Sequence, residues 1–346
     1  MFQKQTILQI KNVYTANAFQ TSTGFYIGAG SETEPVVQLY NLASGIAEKV
    51  DNCPGGLMSF IPVPGQAGMY VTIMGLFPPF IGKEAGLYLH RETDSGWNTV
   101  KAMDLPFAHR CEFIKHKQEH YLVAATVSKW KANPADWSRP GELHLITMGD
   151  HLKSPWKSVI IDSGITRNHG MTRTTIGGME TICISGEQGI FYIVPGENDQ
   201  WVVKSLFDKE VSEMTFIDLD GDGSNEMVTI EPFHGNTLNI YKRKENNWEL
   251  KFSHALSFGH GLSSGMFNGI PVIVAGNRRD SFSLEIFTVD NLSKGAVKMQ
   301  VIDENAGPTQ TQVFSYNSVD YILSANQRKN EVTLYTGPQG KSFWKE

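Results

Sequence analysis

The chain has 346 residues, of which 40% are hydrophobic and 19% are charged, and its formal net charge at pH 7 is −6. This acidic balance, with no basic run, argues against nucleic acid and anionic membranes as partners. No stretch approaches the roughly 18 uninterrupted apolar residues of a membrane span, the N-terminus has no signal-peptide pattern, and the cysteines form no CxxC pair, so we expect a cytoplasmic protein with reduced thiols.

Strand-like segments follow one another along the whole chain. Seven short apolar runs bounded by Gly, Asp, Asn or Pro have the length and pattern of buried β-strands; in chain order they are GFYIGAG, MYVTIMG, YLVAATV, ETICISG, EMVTIEP, PVIVAGN and DYILSAN. A further apolar run follows each after a turn, and long helical periodicity is absent. This repetition predicts an all-β fold, a seven-bladed β-propeller of four-stranded antiparallel blades.

The repeats divide a single predicted domain, residues 1–346, into seven blades. The predicted blades cover residues 11–50, 51–104, 105–162, 163–207, 208–254, 255–302 and 303–346. The last blade lacks a fourth strand, and the N-terminal segment TILQI is expected to supply it and to close the ring. Rings of six or eight blades are the alternatives, whereas a β-sandwich fits poorly because the repeats are too many and too regular.

Four of the repeats open with a residue that can bind a metal. These residues are His109, His169, Glu213 and His260, and they recur at intervals of roughly 45 to 60 residues, as propeller blades do. The first strand of a blade lines the central channel, so equivalent positions are expected to converge there. Three imidazoles and a carboxylate suit Zn²⁺, Mn²⁺ or Fe²⁺. The alternative is a polar, water-filled channel that binds no metal.

The loops after the second strands should emerge on the same face and complete a pocket. We expect His234 or Glu187 to act as acid or base, and Arg278 or Arg279 to bind a substrate carboxylate through paired hydrogen bonds. Trp130 and Phe77 are candidates for stacking on a sugar ring. The remaining predicted lining residues are Arg328, Tyr14 and Gln310. A few convergent polar groups between aromatic walls are typical of a small-molecule site.

An acidic loop in the fifth blade is the most specific local motif. It contains Asp218, Asp220, Asp222 and Glu226, with glycines between the carboxylates. Oxygen ligands at alternate positions around a tight turn predict a structural Ca²⁺. The alternative is a turn without metal, stabilised by hydrogen bonds from Asp side chains to the backbone. The loop joins the first two strands of its blade, so it should lie on the face opposite the histidines.

This loop and the seven repeats resemble the propellers of the FG-GAP and VCBS type. That broad group includes seven-bladed sugar lyases such as ulvan lyase and the propeller part of aldos-2-ulose dehydratase. This chain is similar in layout to them and to oligogalacturonate lyase, a further seven-bladed lyase. The resemblance implies a carbohydrate substrate, a His-rich metal site in the channel and Ca²⁺ in the acidic loop. The catalytic residues of those enzymes do not match this chain one to one, so no specific activity is implied.

Two classes of function remain open. The first is a metal-dependent lyase or dehydratase that acts by β-elimination on a small saccharide; an isomerase, an epimerase or a hydrolase would use the same site. The second is a non-catalytic ligand-binding or scaffold propeller, since a fold does not determine function. Histidines at equivalent positions of several blades favour the enzyme, because a scaffold does not need them. The oligomeric state is not predicted.

Overall fold

The computed structural model describes residues 2–77, 82–149, 156–197, 200–245 and 247–337. The described residues form 28 β-strands, arranged in sheets of four antiparallel strands. The predicted fold class, a ring of seven four-stranded blades with almost no helix, is confirmed. Short 3₁₀ helices occur at Leu292–Lys294 and Gln327–Lys329.

The strands of the seven blades have the following bounds. Blade 1 contains β2 (Val13–Gln20), β3 (Phe25–Ser31), β4 (Val37–Asn41) and β5 (Ala47–Val50), and blade 2 contains β6 (Ser59–Pro62), β7 (Met69–Met74), β8 (Gly86–Thr93) and β9 (Gly96–Asp104). Blade 3 contains β10 (Ala108–His116), β11 (Glu119–Thr126), β12 (Leu143–Thr147) and β13 (Lys157–Asp162), and blade 4 contains β14 (Met171–Ile176), β15 (Met179–Gly186), β16 (Gly189–Pro195) and β17 (Trp201–Phe207). Blade 5 contains β18 (Glu213–Ile217), β19 (Glu226–Glu231), β20 (Thr237–Lys244) and β21 (Asn247–Ala255), and blade 6 contains β22 (Gly259–Phe267), β23 (Ile270–Asn277), β24 (Leu284–Asn291) and β25 (Ala296–Asp303). Blade 7 contains β26 (Pro308–Tyr316), β27 (Val319–Asn326), β28 (Glu331–Thr336) and β1 (Gln3–Gln9).

The last blade takes its fourth strand from the N-terminus, as the sequence predicts. β1 pairs antiparallel with β28, and Gln3 lies opposite Thr336. The Lys4 ammonium reinforces the pairing through contacts of 2.8 Å with Asp303 and 2.6 Å with Glu331. Among the other strands of the described residues, none crosses a predicted blade boundary by more than one residue.

Burial differs strongly between the strands of a blade. β7 is buried throughout, and β23 is buried from Val272 to Asn277. The fourth strands, such as β13, are largely exposed. A strand that is covered on both faces has apolar residues at consecutive positions. For this reason the second strands are the easiest to recognise in the sequence.

Contacts group the chain into two compact units. The terminal unit contains residues 1–18 and 212–346, and the middle unit contains residues 19–211. The middle unit has a core that includes Leu39, Phe60 and Tyr70, whereas the terminal unit has cores around Ile240 and Ile286. The assignment of the whole chain to one domain stays a prediction.

Two further findings bear on function. Within the described residues, no helix has the length and apolar character that crossing a membrane requires. Cys53, Cys111 and Cys183 are buried and form no disulfide. Burial raises the pKa of the Cys53 and Cys111 thiols to about 12, so these thiols stay protonated and do not suit nucleophilic catalysis.

Candidate functional site

A backbone feature before the inner strands shows which residues are equivalent in different blades. In several blades a residue with left-handed backbone stands two positions before the side chain that opens the inner strand. These residues are Asn12 (φ 51°), Phe107 (63°), Arg167 (53°), Phe258 (55°) and Gly307 (63°). The side chains two positions later belong to Tyr14, His109, His169, His260 and Thr309. Four of these five positions agree with the sequence alignment.

The fifth position corrects the alignment of the last blade by one residue. Thr309, not Gln310, is equivalent to His260, since Pro308 pairs with Asn326 as Gly259 pairs with Asn277. The side chain of Gln310 instead accepts a hydrogen bond from the backbone N–H of Ala16 at 3.1 Å. Its role in substrate binding stays a prediction.

The alignment of blade 5 is also shifted by one residue. The N–H of Ser212 donates to Ile230, as the N–H of His169 donates to Ser185. Ser212 is therefore equivalent to His169, and Glu213 is its neighbour. Successive side chains of a strand point to opposite faces, so a shift of one residue changes the face. The role of Glu213 as a metal ligand stays a prediction, without support from this register.

Three equivalent residues of the terminal unit form a closed circuit of hydrogen bonds. His260 Nδ1 donates to the carbonyl oxygen of Thr309 at 2.7 Å, and Thr309 Oγ1 donates to the carbonyl oxygen of Tyr14 at 2.7 Å. Tyr14 Oη lies 3.2 Å from His260 Nε2 and completes the circuit. Because Nδ1 carries the proton, the neutral imidazole offers its lone pair at Nε2. All three residues are buried.

A second imidazole of the same unit lies beside this circuit. The His234 ring is 5.2 Å from the His260 ring, and one ring nitrogen of each lies within 4.8 Å of the other. The Phe258 ring also packs against His234, with its centroid 4.7 Å from that of the imidazole. The turn that carries His234 depends on Gly235, where a Cβ would lie only 2.1 Å from the carbonyl oxygen of Glu231.

The predicted arginines lie on the loops beside these imidazoles. The Arg279 guanidinium stacks on Phe258 at 4.6 Å from the ring centroid, and that of Arg278 lies at 5.8 Å. Arg278 also donates to the side-chain oxygen of Gln327. Arg328 stacks on a different ring, Phe282, at 3.8 Å. His234, Arg278 and Arg279 thus each contact Phe258 within the terminal unit, and their catalytic and binding roles stay predictions.

The middle unit contains the other two predicted histidine ligands. His109 and His169 are both buried, and their ring centroids are 4.6 Å apart. Arg110 fixes the backbone around them by donating to the carbonyl oxygens of Met58 at 2.7 Å and His169 at 3.3 Å. The structure therefore pairs these imidazoles, and their role as metal ligands stays a prediction.

The remaining predicted pocket residues of the middle unit lie on loops. Trp130 is 49% exposed, on a loop that Ser128 braces by donating to the Trp130 carbonyl oxygen at 2.8 Å. Glu187 is exposed in the tight turn between β15 and β16. Phe77 is partly buried, and residues 78–80 of its loop lie outside the described residues. Sugar stacking by Trp130 and Phe77 and proton transfer by Glu187 stay predictions.

His260 and His234 can each offer an imidazole nitrogen to a divalent transition metal. The carbonyl of Thr309 holds the Nδ1 proton of His260 and directs Nε2 away from it, which is the usual support of a metal-ligating histidine. Imidazole nitrogen is a donor that Zn²⁺, Mn²⁺ and Fe²⁺ accept and Ca²⁺ does not prefer. Tyr14 Oη occupies the Nε2 side of the ring, so a metal and this hydroxyl would compete there.

The acidic loop is organised by its own backbone and by a lysine. The Asp218 carboxylate accepts hydrogen bonds from three backbone N–H groups of the loop. The Lys242 ammonium contacts Asp220 at 2.5 Å, Asp222 at 2.8 Å and Glu226 at 3.3 Å. Asp218, Asp220 and Asp222 each offer an oxygen within 4.8 Å of the others. The cluster can accept a cation, but Lys242 already supplies positive charge there, and the predicted Ca²⁺ stays a prediction.

Two site residues were missed from the sequence. Thr309 holds His260 through its backbone carbonyl, and no side-chain pattern reports a backbone contact. Phe258 contacts both His234 and Arg279. It had a detectable signal, because Phe107-Ala-His109 in blade 3 and Phe258-Gly-His260 in blade 6 repeat the same Phe-x-His pattern.

Comparisons with known proteins identify the fold but no family. No protein-family model matches the sequence, and no curated protein is recognisably similar to it. The β-propeller domain of Cps50 (Swd1) from Myceliophteria thermophila matches with a TM-score of 0.61 at 9% identity, covering 97% of this chain and 100% of that one. A protein assigned as a 6-phosphogluconolactonase from Bacteroides uniformis ATCC 8492 matches with a TM-score of 0.59 at 11% identity, covering 94% and 91%. The Dos1 propeller has a TM-score of 0.59 at 10% identity, covering 95% and 80%. At these identities the likeness shows the β-propeller fold alone.

Proposed function

We propose that the chain is a carbohydrate-active enzyme, a lyase or dehydratase that catalyses β-elimination at the Tyr14, His234 and His260 site. The observation that carries the proposal is the closed circuit through Thr309, which fixes the tautomer of His260 beside a second imidazole and a buried phenol. A scaffold propeller has no use for this arrangement, whereas catalysis depends on groups that are held in place beforehand.

Each part of the site matches a requirement of the reaction. A divalent metal bound by His260 and His234 would supply Lewis-acid stabilisation of the negative charge that develops when the α-proton leaves. In this proposal the Tyr14 oxygen takes the α-proton and returns a proton to the leaving oxygen, so that the step balances, and Arg279 binds an acidic group of the sugar. His109 and His169 stay predicted as further ligands of the metal.

The choice of a sugar substrate has two supports. The acidic loop and the seven repeats resemble FG-GAP and VCBS propellers, a group that includes sugar lyases. A structural neighbour is assigned as a 6-phosphogluconolactonase, an activity whose name refers to a sugar lactone. That name also makes hydrolysis of a sugar ester or lactone the second candidate, since the same site could activate water.

Metal analysis of the purified protein tests the proposal. We expect the wild type to retain a divalent transition metal, and His260→Ala and His234→Ala to lose most of it, because each imidazole holds the geometry of the other. His120→Ala, on the partly exposed end of β11, should keep the metal and serves as the control. A wild type that binds no added Zn²⁺, Mn²⁺ or Fe²⁺ would contradict the metal-dependent function.

Product analysis separates the reaction classes. Elimination from a uronate-containing oligosaccharide creates a conjugated double bond that absorbs in the ultraviolet, whereas hydrolysis creates none. We expect the absorbing product with the wild type and its loss in His260→Ala. Turnover of a sugar lactone without an absorbing product would instead establish the hydrolase.

A further inference from the structure

Two arginines of the terminal unit present their guanidinium groups without a protein acceptor. Arg279 stacks on Phe258 at 4.6 Å and Arg328 stacks on Phe282 at 3.8 Å. Across the described part of the chain, no hydrogen bond or ion pair engages either guanidinium. Both residues are exposed. Stacking occupies the face of a guanidinium, so the N–H groups at its edge remain available for a ligand.

Backbone hydrogen bonds hold the two arginine loops in place. The N–H of Arg279 donates to the Ser257 carbonyl at 3.2 Å, and its own carbonyl accepts from Phe282 at 3.0 Å. The N–H of Arg328 donates to the Ala306 carbonyl at 3.2 Å. Gly307 allows the close approach, because a Cβ there would lie 2.9 Å from the Cβ of Arg328. The loops are thus connected through Phe282 and Gly307 and do not depend on a ligand for their order.

Asp280 and Asp303 have partners of their own. The Asp280 carboxylate accepts a hydrogen bond from Ser257 Oγ. Asp303 pairs with Lys4 and Lys329, both at 2.8 Å. The chain as a whole carries a net charge of −6, so two arginines that make no ion pair within the described residues are a local exception. Such an exception attracts anions selectively.

We propose that Arg279 and Arg328 form a subsite for an oxyanion carried by a sugar, either a carboxylate or a phosphate. The proposal rests on the proposed function and specifies its substrate class as acidic sugars. Planar guanidinium groups bind both kinds of oxyanion through paired N–H···O bonds. Phe258 contacts both Arg279 and His234, so an acidic group bound by Arg279 would lie on the same part of the terminal unit as the His234 imidazole.

Equilibrium binding to metal-depleted protein tests the subsite independently of turnover. Glucose 6-phosphate, glucuronate and glucose serve as probes in calorimetric titrations at low salt. We expect at least one anionic sugar to bind about tenfold or more tightly than glucose, because a charge-assisted hydrogen bond contributes that much. The preference between glucose 6-phosphate and glucuronate identifies the oxyanion as phosphate or carboxylate.

Substitutions assign the effect to the two arginines. Arg279→Met and Arg328→Met should each weaken binding of the anionic sugar about tenfold and leave glucose binding unchanged. Arg243→Met, at an exposed arginine on β20 that donates to the Glu245 carbonyl, should have no effect. Equal binding of glucose and both anionic sugars, or an Arg279→Met/Arg328→Met double variant that binds as the wild type does, would overturn the subsite. Either result would leave the metal test of the proposed function unaffected.

Discussion

The two ring nitrogens of His260 contact different chemical groups, a backbone carbonyl at Nδ1 and a phenol hydroxyl at Nε2. We expect these two groups to have separate roles. The carbonyl of Thr309 fixes the ring, whereas the hydroxyl of Tyr14 faces Nε2, where a metal or a substrate proton would lie. Loss of the carbonyl contact would free the ring to rotate. Loss of the hydroxyl would leave the ring in place and remove only the acidic proton.

Tyr14→Phe should therefore separate metal binding from chemistry. We expect the variant to keep its metal content, since the phenol is not a proposed ligand, while kcat falls about a hundredfold, as removal of a general acid or base typically causes. Steady-state kinetics and metal analysis on one preparation measure both quantities. Loss of the metal together with activity would show that Tyr14 acts as a ligand instead.

Gly235 fixes the turn that presents His234, and a single methyl group tests this. In Gly235→Ala the new Cβ would meet the Glu231 carbonyl at 2.1 Å. Displacement of the turn should lower the free energy of unfolding by about 1–3 kcal/mol, the usual cost of overpacking. Urea denaturation measures the loss. Gly164→Ala is the matched control, because the nearest atom to its Cβ would be 3.8 Å away, and it should be nearly neutral.

The residue-level errors of the sequence analysis have a common physical cause. The sequence pattern aligned His109, His169 and His260 with equivalent positions of their blades, because each histidine marks the register. It missed Thr309 in blade 7 and Ser212 in blade 5, because neither position carries a histidine. The break in strand pairing is not the cause, since it also occurs beside His109 and His260. The position of the site within the chain was predictable, but the register of single residues was not.

Among the strands, polar side chains connect the third and fourth strands of several blades. His90 Nδ1 lies 2.9 Å from Thr99 Oγ1, His144 Nδ1 lies 2.8 Å from Ser158 Oγ, and the Ser253 hydroxyl donates to Asn239 at 2.6 Å. The outermost strand otherwise contributes few buried apolar groups. These bonds therefore attach it to the rest of its blade.

His90 makes one of these connections sensitive to pH. Burial lowers its pKa to about 3, from an ordinary value of 6.5. Below about pH 6.5 the unfolded chain binds a proton at His90, whereas the folded protein keeps this imidazole neutral. The contribution of the buried, neutral His90 to the free energy of unfolding is therefore complete above this pH and is lost as the pH falls towards 3. The expected slope is about 1.4 kcal/mol per pH unit for this single proton.

Denaturation curves between pH 6 and pH 4 check this prediction on wild type and His90→Asn. The variant should be less stable near neutral pH but should lose stability more gradually on acidification. Asparagine is a reasonable replacement because Asn239 makes a comparable bond in blade 5. Parallel curves for the two proteins would show that His90 accepts the proton within the fold.

The acidic loop of blade 5 offers a test of competition between two cations. Burial alone would lower the pKa of Lys242, but its bonds to Asp220, Asp222 and Glu226 raise it above its ordinary value, so the ammonium stays charged at neutral pH. A Ca²⁺ ion would have to displace it. Lys242→Met removes the competitor, and we expect added Ca²⁺ to raise the Tm of this variant more than that of the wild type.

Lys244→Met, which changes an exposed lysine on the same strand, controls for the loss of charge. Equal shifts of Tm in wild type and Lys242→Met would contradict the competition. A shift in neither protein would contradict the predicted calcium site itself.

For the whole molecule, the fold was far more predictable than the site. The same strand order recurs in seven repeats of the sequence. A wrong strand assignment in one blade therefore does not change the predicted architecture. Even the origin of the last strand was predictable, because blade 7 visibly lacked one. A binding site has no such redundancy, since it depends on one side chain in each blade and on loops such as 277–283, whose apolar content carries no pattern.

Removal of β1 should test the terminal unit as a whole. A chain that lacks residues 1–9 exposes the edge of β28 and leaves Asp303 and Glu331 without the Lys4 ammonium. We expect a cooperative loss of stability larger than that of Lys4→Met, which removes the charge but keeps the strand. Differential scanning calorimetry provides the measurement. A truncated protein with the melting temperature of the parent would show that β1 contributes nothing to the fold.

The pairing of β1 with β28 also has a consequence for synthesis on the ribosome. Lys4 contacts Glu331, a residue 327 positions later, so β1 leaves the exit tunnel long before its partner strand has been synthesised. At about 5–20 residues per second this delay lasts on the order of tens of seconds. The sequence of β1 suits this delay. Its residues Gln3, Lys4, Gln5 and Thr6 are exposed even in the finished blade, and a polar, charged strand resists pairing with neighbouring nascent chains.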